Sequence, residues 1–129
     1  MDTASILQET LKSIDSYIAE KQEAIKRGEA LERLKSNPDF QAVIVEGYIE
    51  TEAKKLFDIL TDPTGASPYS AETIQLKLEA ISHFKSYVGT RDYPGTVKMD
   101  ATRAPGEIQR ELEERARTTA EYAAIEAEG

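Results

Sequence analysis

The 129-residue chain has no cysteine, no tryptophan and one histidine. Without cysteine there is no disulfide scaffold, thiolate zinc site, iron–sulfur cluster or thiol nucleophile. The one histidine, His83, stands in a single Glu79-x-x-x-His83 arrangement. A di-iron bundle needs Glu-x-x-His on each of two helices, so His83 reads as a structural or surface residue. The 7 glycines are scattered singly and form neither Gly-x-Gly-x-x-Gly nor a Walker pattern. No Gly-x-Ser-x-Gly motif is present, and the lone histidine has no evident acid and nucleophile around it. No apolar run approaches the roughly 18 residues needed to span a bilayer, and the segment from Met1 to Ser13 carries acid before its first base. The expectation is a non-enzymatic protein, with no cofactor, no metal, no membrane association and no secretory signal, working inside a cell.

A basic patch is lacking too. The net charge is −8, from 16 Lys and Arg against 24 Asp and Glu. Residues 1–37 hold six bases and seven acids, and residues 38–89 hold four and eight. Residues 90–106 hold three bases and two acids, and residues 107–129 hold three and seven. Nucleic-acid affinity comes mainly from Lys and Arg neutralising phosphates, so direct nucleic-acid binding is disfavoured. An acidic surface suits a basic protein partner or solubility. Glu46 and Glu50 lie one turn apart, as paired general acids could, but among 24 acids such pairs arise by chance and read as a solvated face.

What the sequence does have is aliphatic periodicity. Leu7, Leu11, Ile14, Ile18 and Ile25 are spaced four, three, four and seven apart, with Lys21 in the vacant slot. That is a heptad stripe, and it predicts a long coiled-coil-like helix over about 4–36. The stripe loses phase near Arg27-Gly28 and resumes at Leu31 and Leu34, which predicts a kink or a register shift near Gly28.

Asn37-Pro38-Asp39 is an N-terminal signature, with a capping side chain, proline at the first helical position and acid in the first turn. Phe40, Val43, Ile44, Gly47, Tyr48, Ala53, Leu56, Phe57 and Leu60 follow, predicting a helix over 38–61, with a strand through Ala42–Val45 followed by Tyr48-Ile49 as the rival reading. Asp62–Pro68 is loop chemistry. Ser70 caps a helix over 70–88, striped by Ile74, Leu78, Ile81, Phe84 or Lys85, and Val88 and widened by Leu76, Ala80 and Tyr87, with Gly89 at its end. Residues 90–106, with two prolines and two glycines, read as an extended arm that, with the tail after it, docks on a neighbour. Ile108, Leu112, Ala116 and Ala120 mark a last helix in 107–129 that buries little.

The fold class is therefore all-α: a long N-terminal helix packed with an αα-hairpin into a helical core over 1–89, then the arm and a C-terminal helix with an acidic tail. The candidate protein-interface residues are Leu7, Leu11, Ile14, Ile18, Ile25, Tyr48, Tyr93, Val97, Ile108 and Leu112.

LERLKSNPDFQAVIVEGYIETEAKKLFDILTDP, followed by the helix ending HFKSYVGT, resembles small helical proteins encoded in the structural gene clusters of tailed bacteriophages. Asn-Pro-Asp-Phe at 37–40, Glu46-Gly47-Tyr48 and the run from Glu52-Ala53 to Leu56 carry the resemblance, over about residues 20–90. It implies a virion component or assembly factor, located in the virion or in the host cytoplasm during assembly, and it transfers no binding residue. Expected partners are further copies of the chain, as a homo-oligomer, and phage capsid, portal or neck proteins. The alternative is an acidic DNA mimic that occupies a host nucleic-acid enzyme. Interspersed Lys12, Lys21, Lys26, Lys54, Lys55 and Lys77 disfavour it.

Overall fold

In the computed structural model, which describes residues 2–128, every regular element is helical. Helix α1 is Thr3–Lys35. Helix α2, residues 38–60, joins an α-turn (Pro38–Phe40), a π-helical stretch (Gln41–Glu52) and an α-helical stretch (Ala53–Leu60). Helix α3 is Ala71–Val88 and α4 is Gly95–Glu128. The chain forms two compact units, residues 1–28 with 100–129 and residues 29–99, so α1 and α4 each contribute to both.

Helix α1 is helical through Gly28. Gly28 is buried, whereas Leu34 is 46% exposed. Gly28 takes the stripe position after Lys21 and Ile25, and the next buried residue, Leu31, follows three residues on where the heptad alternation calls for four, so the stripe shifts register there.

In the unit of residues 29–99, the Asn37 carboxamide oxygen accepts from the backbone N–H groups of Asp39 (2.8 Å) and Phe40 (3.4 Å), as the cap chemistry predicts. Gln41 Nε2 donates to the Lys35 carbonyl (2.6 Å), satisfying an acceptor that the end of α1 leaves free. The π-winding has a packing reason. Ile44 and Ile49 are five residues apart, about 140° apart on an α-helix, but π-winding brings them close to one face. Ile49 is 5% exposed and packs with Leu31, Val88 and Val97, against which Ile44 and Phe84 are laid. A second cluster joins Leu56, Ile74 and Ile81, with Ala53, Ile59, Leu60 and Leu78 around it.

The hairpin loop is held by Asp62, whose carboxylate accepts from the Thr64 N–H (2.9 Å) and hydroxyl (2.8 Å). The Ser70 hydroxyl accepts from the Thr73 N–H at 3.1 Å and starts α3. Leu76, Ala80 and Tyr87 do not widen the core stripe of α3. Leu76 is 61% exposed and Tyr87 49%, and Ala80 is exposed with them.

Residues 90–106 are not an extended arm. Only residues 89–94 form a loop, and α4 starts at Gly95 and runs through Pro105. Gly89 (φ 76°) and Gly95 (φ 75°) close this loop back to back. A Cβ on Gly95 would stand 2.5 Å from the Gly89 nitrogen, and one on Gly89 would run into the Pro94 carbonyl oxygen. Beyond them, Val97, Ala101, Ala104 and Ile108 keep a four-three-four spacing across Pro105, and Val97 (5% exposed) and Ala104 (0%) are buried. That burial outweighs the roughly 3 kcal/mol that an internal proline costs a helix. Pro105 and Gly106 lie on the exposed side.

Candidate functional site: the α1–α4 helix pair

In the unit of residues 1–28 and 100–129, α1 and α4 lie antiparallel. Asp15 Oδ1 meets Arg115 Nε at 2.9 Å, and six residues further along α1 Lys21 Nζ meets Glu107 Oε2 at 2.7 Å. The shared seam is narrow: Ile14, Gly28, Ala104 and Thr118 are its buried residues. Lys21, the charge in the heptad stripe, thus has a specific partner on α4. Its ammonium also sits over the Tyr17 ring, 4.9 Å from the centroid, and the Tyr17 hydroxyl donates to Glu107 at 3.5 Å. The hydrogen bond from Lys21 holds the Glu107 carboxyl below its ordinary range, and the same bond raises the Lys21 ammonium.

The seam corrects the phase expected for the last helix. On α4 the inward positions are Ala104, Ile108, Glu111, Arg115, Thr118 and Tyr122, spaced four, three, four, three and four. Leu112 is 47% exposed, and Ala116 and Ala120 are exposed with it. Glu111 and Arg115 occupy heptad positions, so an apolar count alone selects the neighbouring face.

Among the residues expected at an interface, Ile14 is buried in this seam and Leu7, Leu11, Ile18, Ile25 and Ile108 are half-buried. The heptad stripe therefore faces a helix of its own chain. Val97 is not an interface residue: it is 5% exposed and belongs to the core with Leu31, Ile49 and Val88. Tyr48 stands edge-on to Phe84, with centroids 5.8 Å apart at 81°, and Tyr93 is exposed in the loop before α4.

The unit of residues 29–99 carries a cleft of about 1100 Å³ beside the π-helical stretch. Three cations (Lys35, Lys85, Arg91) and three carboxylates (Glu46, Glu50, Asp92) line it above Val45 and Ile49. Burial pushes the Lys35 ammonium below the ordinary lysine range, with Glu32 opposing and Lys98 reinforcing the shift. Among the described residues, no three His, Cys, Asp or Glu side chains are grouped to hold a metal ion, and no helix is long and apolar enough to cross a membrane.

No family model, curated protein or solved structure matches the chain.

Proposed function

We propose that the protein is a non-enzymatic structural protein that acts by helix packing within a larger assembly, as a virion component or assembly factor of a tailed bacteriophage. The carrying observation is the α1–α4 pair. Two helical segments approaching thirty residues each close on a seam with four buried residues, and Ile6 (40%), Leu112 (47%) and Ile125 (56%) stay in water. An isolated helix pair buries too little to need such length for its own stability. Length with a thin core is the design of an element that packs on neighbours. The phage setting rests on the resemblance of residues 20–90.

Docking by an extended arm has no place in this mechanism, because residues 95–106 are helical. Cross-linking and mass spectrometry of purified particles test the reading. The expected result is this chain joined through α1 or α4 to itself or to capsid, portal or neck proteins. Its absence from both particles and assembly intermediates would exclude the proposal.

A further inference from the structure

The cleft beside the π-helical stretch has linings of opposite charge. Helix α2 supplies Glu46 and Glu50 and no base, together with the apolar Val45 and Ile49. The rest of the lining carries Lys35 from the end of α1, Lys85 from the last turn of α3, and Arg91 and Asp92 from the loop after it. Three bases and one acid give that side a formal +2, against −2 from the two acids of α2.

The winding of α2 builds its side of the cleft. Gln41, Val45, Glu46, Ile49 and Glu50 all line it. At the ~100° per residue of an α-helix they would spread over about 180°, whereas at roughly 80° in a π-helix they fall within about 120°. The π-helical stretch runs for 12 residues. Such winding is rare and recurs at functional sites, so its coincidence with the cleft is a second sign of a ligand.

The charges do not satisfy one another. Among the described residues, Lys35, Lys85, Arg91, Glu46, Glu50 and Asp92 form no ion pair within 4 Å. Lys35 is half-buried, and an anion in the cleft would offset the cost of its desolvated ammonium.

A ligand of one sign meets as many like charges here as opposite ones, while a zwitterion meets each lining with the charge it wants. A cleft of about 1100 Å³ is roughly 10 Å across, the span of about three extended residues at ~3.3–3.6 Å each. A single amino acid holds its two charges too close together to reach both sides.

We infer that this cleft binds a short peptide of about three residues with free termini and an apolar middle side chain. Its carboxylate lies toward Lys35, Lys85 and Arg91, its ammonium toward Glu46 and Glu50, and its side chain over Val45 and Ile49. The inference goes beyond the assembly reading and does not depend on it.

Isothermal titration calorimetry of the full-length protein with the tripeptide Ala-Leu-Ala tests it. Saturable binding is expected, weakened about tenfold or more when acetyl and amide groups block the two ends of the peptide. Glu50→Gln and Arg91→Gln, both at exposed positions, each weaken binding about fivefold or more, and Glu79→Gln, an exposed change on α3 outside the cleft, leaves it unaltered. Circular dichroism confirms that each variant is helical. No saturable binding, equal affinity for the blocked peptide, or binding that neither cleft variant weakens overturns the inference. Tighter binding of inorganic phosphate or of putrescine overturns it as well. The oligomeric mass, which tests the assembly reading, is measured separately, so either can fail alone.

Discussion

Lys21 Nζ lies 2.7 Å from Glu107 Oε2, so the one charge in the heptad stripe of α1 meets an opposite charge on α4. With the Asp15–Arg115 pair at 2.9 Å, it defines which turns of the two helices face each other. It leaves the face through Leu112, Ala116 and Ala120 outside.

The pH dependence follows from that pair. Lys21 holds Glu107 below its ordinary value of 4.5, so the unfolded chain takes up this proton more readily than the native one. The stabilisation is complete above the ordinary glutamate value and is lost as pH falls through the lower native value. Lys21 is raised from 10.5, so its contribution is complete below that value and is lost as pH rises through the higher native one. Thermal melts of wild type and Glu107→Gln should differ most near neutral pH, with the gap closing toward pH 3. A gap independent of pH would mean that the pair does not act in solution.

The loop before α4 tolerates no side chain at its ends. Gly89→Ala and Gly95→Ala each add a Cβ where φ is near +75° and where backbone atoms already sit. Each is expected to cost at least about 2 kcal/mol in denaturant unfolding. Gly106→Ala makes the opposite case, since nothing lies within 4 Å of the added Cβ and the residue is inside a helix. It should stabilise by about 0.5–1 kcal/mol. A destabilising Gly106→Ala would contradict helix at 95–106.

The π-winding of α2 is testable through its core register. Ile49 is 5% exposed and Val43 is 66% exposed. Ile49→Ala should cost about 2–5 kcal/mol, and Val43→Ala less than about 0.5 kcal/mol. Comparable losses at both positions would rule out this register.

The elements with strong local chemistry were readable from the amino acids alone. Asn37 and Ser70 start helices by capping, Gly89 ends one, and the Ile74, Leu78, Ile81 and Val88 stripe faces the core. The failures share a cause: tertiary packing overrode the local signal. Gly28 and Ala104 serve the seam by being small, so no apolar count finds them. Glu111 and Arg115 hold seam positions and so moved the expected stripe of α4 by one residue. Pro94, Gly95, Pro105 and Gly106 read as an arm because the burial of Val97 and Ala104, which outweighs them, is not local. Ile49 was missed because a five-residue step from Ile44 fits neither α nor β periodicity, although that step is the trace of a π-helix.

Sedimentation equilibrium of the unmodified full-length chain over a wide concentration range tests most directly whether the protein acts by association of its copies. The account predicts a weight-average mass that rises reversibly above 14.3 kDa with concentration. A mass of 14.3 kDa at every concentration would contradict it.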